Sequence, residues 1–176
     1  MKKFSSLASL LSVCFFISCT QTKENGISPA AQKNLDALNG ISKSFDAKDF
    51  SKLGDYVAID ILDHAGEHGD IKGLDSLKAA FEQYVSTVEN TKSEVIKELA
   101  DDEYGMAWMK YSGTLKTASM GMKAGDHFEM KSLEVGKFKD GKMIEHWTMM
   151  EPGDVVKMLR PQAMPSVKID TVENHK

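Results

Sequence analysis

Residues 138–151 read F-K-D-G-K-M-I-E-H-W-T-M-M-E. Asp140-Gly141 is the dipeptide that a tight β-hairpin favours, because both turn positions need positive φ. Strands are therefore predicted over 127–138 and 143–151, folding back on each other, with Pro152-Gly153 ending the second. Along that last strand Glu145, Trp147, Met149 and Glu151 share one face; Ile144, His146, Thr148 and Met150 share the other. Without a bulge, His146 and Glu151 cannot both line one pocket. The Trp147/Glu151 face is taken as the pocket side, and His146 as a surface or interface residue.

Working outward, 93–100 and 104–114 also read as strands, joined by an Asp101-Asp102-Glu103 turn, with a loop over 117–125. Upstream the period becomes helical. Ser28-Pro29 is an N-cap followed by proline at the first helical position, and apolar residues then recur at helical spacing to about residue 46. Asp49 can cap a short second helix carrying Phe50, Leu53 and Val57. A strand follows over 59–64. Leu74, Leu77, Phe81, Tyr84, Val85 and Val88 form the stripe of a third helix. Helices followed by a run of strands imply an α+β domain, with helices on one face of a curved, mostly antiparallel sheet.

His64-Ala65-Gly66-Glu67-His68 matches a zinc-peptidase pattern that has meaning only on a helix, where both histidines share a face. Gly66 and Gly69 each cost a helix about 1 kcal/mol relative to alanine, so this stretch reads as a strand end entering a loop. No metal site is expected, and nothing in the sequence calls for a cofactor.

The N-terminus reads as an export signal. Lys2 and Lys3 precede an apolar and small-residue run from Phe4 to Ser18, too short to span a bilayer comfortably. Cys14 leaves with that signal. The net charge of −4 then becomes about −6, because Lys2 and Lys3 are lost. A single arginine, Arg160, and no basic cluster argue against nucleic acid as a partner. The expected organisation is a leader over 1–18, a tether over 19–28, one domain over 29–160 and a polar tail over 161–176.

The phrases D-Y-V-A-I-D-I-L-D-H-A (55–65), G-L-D-S-L-K-A-A-F (73–81) and F-K-D-G-K-M-I-E-H-W (138–147) resemble the SnoaL-like polyketide cyclase family of the nuclear-transport-factor-2-like superfamily. The resemblance implies a cone-shaped fold, with three N-terminal helices on the sheet and a deep apolar pocket between them. It implies an acid four residues after the motif tryptophan, which here is Glu151, where the cyclases have aspartate. In related steroid isomerases the first strand ends in a catalytic aspartate; Asp63 and His64 stand near that place. The leader resembles that of a bacterial lipoprotein. Cys19 would carry lipid and tether the domain on the outer side of a membrane in the cell envelope; Phe16 stands where leucine is usual.

Glu151, flanked by Met149 and Met150, has the apolar surroundings that raise a carboxyl toward neutrality, and His64 could act from the opposite wall. These two are the candidate acid–base groups. Trp147, Met149, Trp108, Met106, Tyr84 and Asp63 are the candidate ligand-binding residues. Apart from Met1, every methionine lies at or beyond Met106, which suits either an adaptable apolar pocket or core filling. Superfamily membership does not fix function. Binding of a small apolar molecule is favoured. A cyclase, isomerase or dehydratase using Glu151 and His64 stays open, as does a homodimer assembled through the sheet.

Overall fold

The computed structural model describes residues 26–66, 69–119 and 121–159. Helix α1 spans Pro29–Ala47. Its start is built as the sequence implies: Ser28 Oγ accepts from the backbone N–H of Ala31 at 3.0 Å, with proline at the first turn. Lys48, in the left-handed conformation, ends it. Asp49 Oδ1 accepts from Ser51 N at 2.9 Å, but the segment it opens becomes only a 3-10 turn, Leu53–Asp55. Val57 already belongs to strand β1, Val57–Asp63. A short β2, Ile71–Lys72, was not anticipated, and α2 then spans Leu74–Ser86.

Four long strands complete the sheet: β3 (Val88–Ala100), β4 (Tyr104–Leu115), β5 (His127–Lys139) and β6 (Lys142–Met150). Helix α3, Pro152–Leu159, closes the described chain. Asp140 and Gly141 have φ of 55° and 79°, the turn that joins β5 to β6. The order is β2-β1-β6-β5-β4-β3. Every neighbouring pair is antiparallel except β1–β6, which run parallel. Bulges interrupt the β3–β4 and β5–β6 ladders and bend the sheet.

The core lies between the helices and one sheet face. Leu38 of α1 and Leu77 of α2 pack with Val57, Ile61, Met109, Phe138 and Met143. Phe45, Phe50 and Phe81 add an aromatic cluster, with ring centroids 4.4–5.5 Å apart. Asn34, 1% exposed, ties α1 to the β3–β4 turn by donating to the carbonyl of Asp101 at 2.9 Å. A satellite core of Val88, Leu115 and Phe128 closes the far end of the long strands. The α+β architecture is therefore the expected one; it differs in the 3-10 turn that replaces a second N-terminal helix, in the short β2 and in a third full helix that follows the sheet.

Candidate functional site

The sheet register decides which side chains meet the helices. Residues opposite each other in a ladder share a face. Ala107 and Met109 are buried in the helix-covered core, and they pair with Glu134 and Ser132. Glu134 pairs in turn with Thr148, and Gly136 with His146. On β1, Asp63 stands beside His146. Ser132, Glu134, His146, Thr148 and Asp63 therefore converge on the covered face. Trp147 and Met149 pair with Val135 and Leu133 and belong to the other face. The alternation read from the sequence holds, but the face expected to point outward is the one that points in.

The converging residues form a chain of hydrogen bonds. His146 Nδ1 lies 3.1 Å from Asp63 Oδ1, and its Nε2 lies 3.1 Å from Glu134 Oε2. Thr148 Oγ1 donates to Glu134 Oε2 at 2.6 Å. Ser132 and Tyr111 donate to Glu134 Oε1, Tyr111 from 3.4 Å. Asp63 Oδ1 also accepts from the backbone N–H of Ala65 at 2.7 Å. The side chains of Asp63, His146 and Glu134 are 3%, 15% and 16% exposed.

Burial alone would depress the His146 pKa, but the hydrogen bonds its ring donates to Asp63 and Glu134 outweigh it and raise it to about 9. Burial pushes Glu134 up, yet hydrogen bonds and charge from His146, joined by Ser132 and Thr148, leave it below the usual carboxylate range. Around neutral pH the centre of the cluster is thus an imidazolium between two carboxylates. Tyr111 is pushed up first by burial and then by the negative charge of Glu134, so its phenol stays a proton donor. Tyr84, on α2, is raised by burial and again by Glu134.

One oxygen is left over. Asp63 Oδ2 takes no hydrogen bond among the described residues, although every fully enclosed side-chain oxygen or nitrogen there has a partner. Oδ2 is therefore not fully enclosed, although the residue is only 2% exposed overall.

The candidates named from the sequence fall in two groups. Asp63 and Tyr84 belong to the cluster or its border. The pairing of His64 with Glu151 is not formed. His64 sits in a turn, with Nδ1 3.0 Å from Asp70 and Nε2 3.1 Å from Glu145, its ring stacked on Trp147 at 5.2 Å. Those hydrogen bonds, Glu145 first, raise its pKa. Glu151 is exposed, 3.9 Å from Lys131 Nζ, and its backbone carbonyl accepts from Asp154 and Val155 at the start of α3. It lies just past the end of β6, four residues beyond Trp147, on which the His64 ring stacks. Met106 and Trp108 are each 41% exposed and Met149 53%, on the uncovered face rather than beneath the helices. Residues 64–66 are a turn, not a helix, while Glu67 and His68, like Cys19, lie outside the described residues.

His146, Glu134, Tyr111, Ser132 and Thr148 were missed. Their signal was present: His146 and Thr148 sit at alternate positions of β6, as do Ser132 and Glu134 of β5. What the alternation did not carry was which face the helices cover.

The chain is an α+β domain with an acid–imidazole–acid cluster on the helix-covered face of its six-stranded sheet. More narrowly, the SnoaL-like polyketide cyclase family profile matches residues 36–159, and the chain belongs to that family. Solved structures carry the same fold. TsrD from Streptomyces laurentii superposes with a TM-score of 0.64 at 17% identity, covering 77% of this chain and 99% of that one. IdmH from Streptomyces antibioticus, described as a putative polyketide cyclase, gives 0.59 at 21%, covering 72% and 97%. An LEH-like epoxide hydrolase of M. tuberculosis gives 0.60 at 12%, covering 74% and 92%. No curated protein matches the chain in sequence.

Proposed function

We propose that the domain carries out acid–base chemistry on a small, largely apolar molecule held against the covered sheet face. The observation that carries this reading is the Asp63–His146–Glu134 chain with one Asp63 oxygen uncommitted. Burying such a group is costly unless it is fully paired, and here the pairing is complete everywhere but at Oδ2. Asp63 Oδ2 is the proton acceptor. It takes a proton from a carbon or hydroxyl of the bound molecule, or from water that attacks it. His146 is a positioning residue: it fixes the Asp63 carboxylate and offsets its charge. Glu134, held by four side-chain donors, keeps His146 protonated and oriented. Tyr111, kept protonated beside the cluster, is one of those donors.

The test is proton exchange. The full chain is incubated in D2O with small molecules that co-purify with it, and these are recovered and weighed. Wild type is expected to introduce deuterium or to change the molecule, and Asp63→Asn to bind it without either. If both return it unlabelled and unchanged, the domain is a binding module and the acid–base reading fails.

Two further parts of the proposal concern place and assembly. Lys2, Lys3, the apolar run and Cys19 support export and lipid anchoring in a bacterial envelope, and labelled fatty acid incorporated in wild type but not in Cys19→Ala checks it. The uncovered face, with Leu99 61% exposed beside Met106, Trp108 and Met149, supports self-association through the sheet. Sedimentation of wild type as a dimer and of Trp108→Glu as a monomer is the expected result.

A further inference from the structure

Two acid–histidine dipeptides face each other where β1 meets β6. Asp63-His64 closes β1 and Glu145-His146 lies on β6, and the parallel pairing sets Leu62 beside Glu145 and Asp63 beside His146. Each acid is bonded to the histidine of the other strand. Asp63 Oδ1 lies 3.1 Å from His146 Nδ1, and Glu145 Oε1 lies 3.1 Å from His64 Nε2. The first bridge is on the helix-covered face, the second on the open face. Between them the backbone N–H of His64 donates to the His146 carbonyl at 2.9 Å. We propose that this seam is a proton-operated clasp: protonated His64 holds the end of β1 on β6, and loss of its proton releases the end that carries Asp63. The clasp is a property of the fold; its consequence for the site, through the position of Asp63, rests on the acid–base reading above.

The geometry itself calls for the charged ring. An imidazolium has two N–H donors and a neutral imidazole one, while a carboxylate only accepts. Both nitrogens of His64 face carboxylate oxygens, Nε2 that of Glu145 and Nδ1 that of Asp70 at 3.0 Å. Neutral His64 therefore loses one of its two bonds and sets a nitrogen lone pair against an oxygen. The ring also lies on Trp147, 5.2 Å away and 18° from parallel, a contact that positive charge strengthens.

The groups around the ring agree. Asp70 from the turn and Glu145 from β6 are acidic, and Asp63 with His146 stands across the seam on the covered face. Lys137, opposite Glu145 on β5, places its ammonium 3.3 Å from Glu103, and Lys72 of β2 pairs with Leu62. The bonds to Glu145 and then Asp70 raise the His64 pKa above its ordinary 6.5. Stability from a pKa raised on folding is full below the ordinary value and is lost as pH rises through the folded one. The outer bridge is screened by solvent, with Asp70 47% exposed, whereas the enclosed His146 holds its proton to about 9. The two bridges thus release in order, the open face first.

The test follows hydrogen exchange at the residue-64 amide by NMR, in the full chain, between about pH 6 and 8.5. Each rate is divided by that of an unstructured peptide at the same pH, and Trp147 emission gives the His64 midpoint in the same samples. Protection is expected to fall about tenfold across that midpoint, the scale of one lost hydrogen bond to a charged group. The Leu115 amide, which donates to the Asp126 carbonyl at 3.0 Å at the far end of β4, should keep its protection and reports that the sheet stays folded. His64→Phe keeps a ring on Trp147 without the proton and should show the lower protection at every pH. Protection that stays constant through the wild-type midpoint overturns the clasp. So does a His64→Phe amide protected as well as wild type at about pH 6. If Leu115 shows that the variant is misfolded, the wild-type comparison decides alone. Loss of the clasp would leave the acid–base reading to the deuterium experiment, and failure of that reading would leave the clasp standing.

Discussion

Replacing His146 by glutamine tests the cluster at its centre. The His146 pKa stands near 9 in the folded chain against an ordinary value of 6.5. At about 1.4 kcal/mol per pH unit, that difference amounts to about 3 kcal/mol of folding stability. A pKa raised on folding gives stability that is full below 6.5 and is lost as pH rises through about 9. Between pH 7.5 and 10 the wild type should therefore lose about 2 kcal/mol relative to His146→Gln, which has no imidazole to titrate. Starting at pH 7.5 keeps the comparison clear of the two carboxylates, whose pairing changes in the variant. Lysines and tyrosines that titrate in this range are common to both proteins and drop out of the difference. The assay is urea unfolding followed by fluorescence of Trp108 and Trp147 at several pH values. A stability gap that stays constant across the range would refute the reasoning, because it would mean that the folded imidazole is neutral there. The assignment of Glu134 as a carboxylate locked to an imidazolium would then fall too.

Other consequences follow from single contacts. His64 stacks on Trp147 between Asp70 and Glu145, so Trp147 emission should titrate with a midpoint above 6.5, and His64→Phe should abolish that titration while keeping the stack. Leu77, 2% exposed, anchors α2 to the sheet; Leu77→Ala is expected to cost about 2–5 kcal/mol in urea unfolding. Gly40 lies where α1 meets the Tyr56 ring, leaving no room for a methyl group, so Gly40→Ala should destabilise by about 1–3 kcal/mol through overpacking. Glu151→Gln should leave ligand affinity and proton exchange unchanged, whereas Asp63→Asn should stop exchange; loss of exchange in Glu151→Gln would restore the strand-end acid as the base.

Most of the secondary structure was legible because its signals are local. Ser28-Pro29 caps a helix by its own geometry, and Asp140-Gly141 makes a turn whatever lies around it. The short elements were less so. Asp49 caps its turn as expected, but Val57 is drawn into β1, where it is buried beside β6, so a full helix never forms. Ile71–Lys72 is only long enough to pair with the end of β1, and two residues carry no readable period. Of the residues named from the sequence, Asp63 entered through the family resemblance at the end of the first strand and Tyr84 through its helix stripe, and both lie at or beside the cluster. His146 was assigned outward because the alternate face, with Trp147 and Glu151, was taken as the pocket side; its partner Glu134 lies twelve residues away and meets it only once the hairpin has folded.

The sequence by itself determined the order of the main helices and strands, the hairpin and the two alternating faces of β6. Which of those faces became a site was decided only in three dimensions. A strand's period of two makes its faces equivalent until something covers one of them, and what covers this one is α1 and α2, far away along the chain. The same distance separates Asp63 from His146: they meet because β1 crosses to lie parallel to β6, a pairing set by burial of Val57, Ile61 and Met143 rather than by any local pattern.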